Sequence, residues 1–147
     1  MKENIVAAVD PGRQKCGLAV VHREQGILYR SVVETENLPE QLMTVVQRYR
    51  PDRILLGDGT GQAPVAAALQ KNLDGVTGQP LLPITSVDEY GTTEQARQRY
   101  WREQPPRGWR RLLPQGLLMP PVPVDDYVAV LLAERYFAVG ASKNKKK

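Results

Sequence analysis

The chain opens on an unbroken apolar run, residues 5–9, that stops abruptly at Asp10-Pro11-Gly12. Five β-branched or small residues ended by a turn signal are too few for a helix and predict a strand. Residues 17–22 and 26–33 predict two more, joined through "REQG", where Gly26 is placed for a positive φ. Three strands linked by short turns predict an antiparallel meander. The period then changes. Leu38, Leu42, Val45, Val46 and Tyr49 recur at helical spacing, with Pro51 as a stop just beyond. "RILLGDGTG" predicts a fourth strand, apolar enough to be buried on both faces. Residues 62–73 predict a second helix with Val65, Ala66, Leu69 and Leu73 on one side, and residues 80–89 a fifth strand that Pro83 assigns to an edge or a bend. A helix over residues 92–103 starts from a threonine cap, Thr92 or Thr93. The Pro/Gly/Arg-rich residues 104–116 predict a loop, and residues 124–139 a final helix led by Asp125 and Asp126. The order β-β-β-α-β-α-β-α-α predicts an α/β fold, a mixed five-stranded sheet in which a three-stranded antiparallel meander continues into parallel strands, flanked by helices.

Length and composition narrow the class. The 147 residues suit one domain, expected over residues 1–140, followed by a disordered Lys-rich tail over residues 141–147. With 41% hydrophobic and 24% charged residues the chain reads as globular. One cysteine, Cys16, excludes an internal disulfide framework and a Cys-based zinc cluster, and one histidine, His22, argues against a His-based metal site or a Ser-His-Asp triad. Both are expected as packing or surface residues. No leader precedes Asp10 and no run approaches the ~18 apolar residues of a membrane span, so the expected compartment is the cytoplasm.

The acids change the picture. Asp10, Asp58 and Asp88-Glu89 end the first, fourth and fifth strands, and Asp125-Asp126 start the last helix. Ligands of open α/β sheets collect beyond the carboxyl ends of parallel strands, so these groups are expected along one sheet edge. Converging carboxylates repel one another unless some hold protons or a cation joins them. Oxygen-only donors favour Mg²⁺ or Mn²⁺, and two such ions ~3.5–4 Å apart can clamp a phosphodiester. Singly, each acid also has a structural reading: Asp10 as a turn former, Asp125 or Asp126 as a helix cap.

Three stretches carry a resemblance. "VDPGRQKCGLAV" resembles the first motif of the YqgF family, the Holliday-junction-resolvase-like group with the RNase H fold. "VDEYGTTEQA" is similar to that family's Asp-Glu-Arg-x-Thr-Thr-x-x-Ala, and "VDDYVAVLL" to its Asp-x-x-Ala helix, read with Asp126 and Ala129. The motifs stand in family order across nearly the whole chain. The resemblance implies the RNase H topology, a metal-dependent nuclease and pre-16S rRNA processing in ribosome biogenesis. Carried over, it implies Asp10, Glu89 and Asp126 as catalytic metal ligands, with Asp58 and Asp125 as further metal-binding candidates. The chain departs from the pattern where the family's Arg is Tyr90 and where its Gly-x-Pro is Gly57-Asp58-Gly59, which marks a divergent branch.

Charge locates the expected partner. Residues 1–89 hold nine Lys/Arg and eleven Asp/Glu; residues 90–147 hold eleven and five. Six arginines crowd residues 97–111 against the single acid Glu103, with Tyr100, Trp101 and Trp109 among them. Arginines release phosphate counterions and aromatic rings stack on unpaired bases, so Arg107, Trp109, Arg110 and Arg111, with Lys15 on the turn after Asp10, are expected to bind nucleic acid. A solvated helix face, a core role for Tyr100 or Trp101, an exposed turn lysine and a solubilising tail are the structural alternatives. Thr92 and Thr93 are open between phosphate binding and helix capping. The rival functions are a binding module of the same fold without chemistry, attached to nucleic acid or the ribosome, and a Holliday-junction resolvase. A kinase-like ATPase pairs two such domains and needs a longer chain. Monomer and homodimer both remain open, the latter suiting a two-fold junction.

Overall fold

The computed structural model describes residues 3–59, 65–67, 82–114, 120 and 123–145. Five strands, β1 (Ile5–Asp10), β2 (Lys15–His22), β3 (Gly26–Glu34), β4 (Arg53–Gly57) and β5 (Ile84–Val87), form one sheet in the order β3-β2-β1-β4-β5. β1 pairs antiparallel with β2, and β2 with β3, as the meander requires. β4 runs parallel to β1 on its other side, and β5 parallel to β4. Gly26 has φ 86°, the left-handed conformation its hairpin needs. β5 is an edge strand, which accommodates Pro83 beside it; the Pro83 carbonyl still accepts the Ile54 N–H.

The helices are α1 (Leu38–Tyr49), α2 (Thr92–Glu103) and α3 (Asp125–Lys145). α1 ends on Arg50 in the left-handed conformation, one residue before Pro51. Most of the helix expected over residues 62–73 lies outside the described residues; within it residues 65–67 are helical and Val65 is buried. α3 continues through Lys145, so the helical backbone reaches into the segment expected as a disordered tail. No proline interrupts it there, and lysines at a helix C-terminus are favoured by the dipole.

Alternation along the strands divides the core into two layers. Ala7, Val9, Leu18, Val20, Ile54 and Leu56 face α1, whose Leu38, Leu42 and Val45 close that side. Val6, Ala8, Ala19, Val21 and Leu55 face α3 through Ala129, Val130, Leu132, Ala133 and Phe137. On that side alanines of both layers, Ala8, Ala19, Ala129 and Ala133, are fully buried. A third cluster, of Ala96, Tyr100, Trp101, Val124, Tyr127 and Val128, joins α2 to the start of α3.

Candidate active site

Parallel pairing sets the site. β1, β4 and β5 point their carboxyl ends the same way, so Asp10, Gly57-Asp58 and Asp88-Glu89 share one sheet edge. Asp10 is the last residue of β1 and stands opposite Gly17 of β2. Gly17 is where α3 begins to cross. A Cβ there would lie 1.8 Å from the Asp125 carbonyl oxygen and 3.0 Å from the Asp126 nitrogen. Only glycine lets the helix N-terminus rest on the strand beside Asp10.

Glu89 is delivered by a tightly bonded turn. Its N–H donates to Asp58 Oδ1 at 3.1 Å, and its carbonyl accepts both the Thr92 N–H at 3.0 Å and the Thr92 hydroxyl at 2.6 Å. Tyr90 N–H donates to Asp88 Oδ1 at 2.9 Å, and Gly91 takes φ 73° at the head of α2. The Glu89 side chain turns back across the sheet edge between two glycines. A Cβ on Gly57 would fall 1.8 Å from its Oε1, and one on Gly59 2.0 Å from its Oε2. The expected threonine cap takes a different form: Gly91 occupies the cap position, and the buried Thr92 spends its hydroxyl proton on Glu89.

Asp10 and Glu89 meet. Burial, then a hydrogen bond to Glu89, then the charges of Glu89 and Asp125, push the Asp10 carboxyl from 3.8 up to about 8. A carboxyl–carboxyl hydrogen bond requires one of the two to hold a proton; with both ionised, Glu89 Oε1 is buried without a partner. Burial raises Glu89 as well, assisted by the charges of Asp58 and Asp88 and opposed by the hydrogen bonds from Asp10 and the Gly59 backbone. Asp125 is raised by burial and by the charge of Asp126, and lowered by Lys15. Asp10, Glu89 and Asp125 therefore form one electrostatic group. Among the described residues no three acids, histidines or cysteines are already gathered tightly enough to form a finished metal cage.

Asp126 lies elsewhere. It is 8% exposed and its Oδ2 accepts from Arg30 Nη1 at 2.6 Å, across to β3. The Arg30 guanidinium also lies 4.4 Å from the centre of the Tyr127 ring, and the Tyr127 hydroxyl donates to Glu103 Oε2 at 2.8 Å. Arg30, exposed on the edge strand β3, is a functional neighbour the sequence gives no signal for, since its acid partner lies 96 positions away. Removing Arg30 leaves the buried Asp126 carboxylate without a counter-charge, its Oδ1 still accepting the Tyr127 N–H at 3.0 Å. Arg30→Met is expected to lower stability by about 2–4 kcal/mol in urea unfolding, and adding Asp126→Asn to recover most of it.

The remaining candidates fall into place singly. Lys15 is exposed at the start of β2, with its charge felt by Asp125. Asp58 is exposed and serves the Glu89 turn. Both Tyr100 and Trp101 are core residues, whereas Trp109 is 67% exposed on the 3₁₀ turn Gly108–Leu112. Arg107 and Arg111 are exposed beside it; the Arg110 side chain lies outside the described residues. Arg99 is committed to Glu134 at 2.7 Å and Glu103 at 3.4 Å. Cys16 is buried with its sulfur 3.3 Å from the Thr35 hydroxyl, and His22 Nδ1 accepts the Glu24 and Gln25 N–H groups in the β2–β3 turn.

Strand order, mixed pairing and the crossing C-terminal helix define an RNase H-like fold. RuvC of Thermus thermophilus shares 19% identity and aligns over 88% of this chain and 90% of its own, with a TM-score of 0.54. Fowlpox virus resolvase, solved in complex with Holliday junction DNA, shares 14% identity over 92% and 97%, with a TM-score of 0.57. No protein-family model matches the sequence, and no curated protein does. Among the described residues no helix is long and apolar enough to cross a membrane.

Proposed function

We propose that this protein is a divalent-metal-dependent nuclease that hydrolyses phosphodiester bonds in structured nucleic acid. The observation that carries the reading is the meeting of Asp10 and Glu89 under the N-terminus of α3, with Glu89 Oε1 buried and, once both acids are ionised, lacking a partner. An all-oxygen donor set whose members hold protons for want of a counter-charge fits Mg²⁺ or Mn²⁺. Asp10, Glu89 and Asp125 would hold the ion. Asp125 takes the place that the motif spacing gave to Asp126, because Arg30 engages Asp126 while Asp125 shares the field of Asp10. When bound, the ion supplies Lewis-acid stabilisation of the charge that builds on the scissile phosphate. Gly57 and Gly59 keep the Glu89 carboxylate in the pocket, and Asp58 and Thr92 orient the turn that bears it. Arg107, Arg111 and Trp109 stand exposed where phosphates and unpaired bases can reach them; Lys15 offers a further cation beside the acids.

The YqgF-like motifs support a precursor of 16S rRNA as the substrate. A Holliday junction is the second reading, supported by the fold likeness to RuvC and the fowlpox resolvase. Incubating the protein with Mn²⁺ and either a labelled pre-16S rRNA fragment or a four-way DNA junction separates them. The expected result is chelator-sensitive cleavage of the RNA at discrete positions. Symmetric nicks in the junction alone would favour the resolvase. Tight binding of either without any cut would reduce the protein to a binding module.

A further inference from the structure

Tyr90 stands one residue from Glu89 and is 86% exposed. It contributes nothing to the core, yet the backbone that presents it is fixed. Its N–H is held by Asp88 Oδ1, the Glu89 N–H by Asp58 Oδ1, the Glu89 carbonyl by Thr92 from two sides, and Gly91 bends the chain away through a positive φ. Arg135 buttresses the same turn, with Nη1 3.4 Å from the Asp88 carbonyl and Nη2 3.0 Å from Gln95 Oε1. The result is an exposed aromatic ring carried by a fixed backbone next to Glu89.

A fixed backbone removes part of the ordering cost of binding a flat partner. A phenol carries no charge with which to hold a phosphate, but its face suits a nucleobase, which stacks irrespective of sequence. Resting on the nuclease reading above, we infer that Tyr90 stacks on an unpaired base next to the scissile phosphate and so makes the enzyme select an unstacked nucleotide at the cut. Tyr90 is a specificity residue in this role; the acids do the chemistry.

The test uses Asp10→Asn protein, which holds substrate without cutting it, and oligonucleotides carrying 2-aminopurine on either side of the cleavage position. The protein should quench the probe when it is unpaired and leave it bright when it sits in a perfect duplex. Adding Tyr90→Ala should abolish the quenching and weaken binding about fivefold to a hundredfold, with no change in the slope of log affinity against log salt. Tyr90→Phe should keep both properties. Tyr90→Arg should restore affinity at low salt with a steeper slope and no quenching. Because the ring is exposed, thermal unfolding should be the same in all of these variants. Equal quenching and affinity with and without Tyr90→Ala, in a protein that binds nucleic acid, would overturn the stacking role alone. Failure of the wild-type protein to bind any of the oligonucleotides would overturn the nuclease reading and this inference with it.

Discussion

Asp10→Asn is expected to abolish Mn²⁺-dependent cleavage, a loss of at least about a thousandfold, and at the same time to make the metal-free protein more stable in mild alkali. The two effects have one cause. Asp10 is raised from 3.8 to about 8 by burial and by its acidic neighbours, so its proton is held more firmly in the folded than in the unfolded chain. A group of this sign contributes stability that is fully present below its unfolded pKa, near 4, and lost as the pH rises through its folded value. Metal-free wild-type protein should therefore lose stability steadily between pH 4 and pH 8, with the loss complete above that. At ~1.36 kcal/mol per pK the ceiling is on the order of 5 kcal/mol. Glu89 shares the proton and relieves part of the strain, leaving an expected gain of about 2–4 kcal/mol for Asp10→Asn at pH 8.5 in chelator. At pH 4 the two proteins should unfold alike. Adding Mn²⁺ at pH 8.5 should reverse their order, since an ion stabilises the charged wild type and has less to bind in the variant. Parallel melting curves with and without Mn²⁺ would mean that no ion binds among these acids.

Two glycine substitutions should separate architecture from chemistry. At Gly17 a methyl group would overlap the backbone of Asp125, 1.8 Å from its carbonyl oxygen. Backbone cannot swing aside, so the start of α3 must lift from β2. Gly17→Ala is expected to cost about 3 kcal/mol or more and to displace Asp125 from Asp10, giving a lower urea midpoint together with lost activity. At Gly57 the overlap is with Glu89 Oε1, the far end of a side chain that can rotate outward. Gly57→Ala should unfold within about 1 kcal/mol of wild type and still lose Mn²⁺ affinity and cleavage, because the displaced carboxylate leaves the pocket. A titration of Mn²⁺ by calorimetry beside a urea curve reads both quantities. Unchanged Mn²⁺ affinity in Gly57→Ala would remove Glu89 from the set of ligands.

The strands and helices were readable because their signals are local. The five-residue apolar run into Asp10-Pro11-Gly12, the helical spacing from Leu38 to Tyr49 and the turn at Gly26 each act within a few residues, and the observed elements fall on them. The mixed sheet, a meander continued by parallel strands, followed from the change of period after β3. The site was readable only in part. Which sheet edge gathers the acids follows from parallel pairing, but which of two adjacent acids faces it does not. Asp125 and Asp126 point about 100° apart around α3, and their environments are set by Gly17 and Arg30, 108 and 96 positions away. Spacing within the helix motif contains no trace of either contact. The roles of Gly57 and Gly59 were hidden for the same reason: a glycine that makes room for a remote side chain looks, in sequence, like a glycine that makes a turn. Tyr100 and Trp101 were both drawn into the α2–α3 cluster because Val124 and Tyr127 approach from the far end of the chain.

The crossing of α3 over Gly17 also bears on timing. Asp10 and Glu89 are brought to one edge by the parallel strands, whereas Asp125 joins them only when α3 packs over Gly17. A chain whose sheet has formed and whose α3 has not yet docked would thus hold Asp10 and Glu89 without Asp125 beside them.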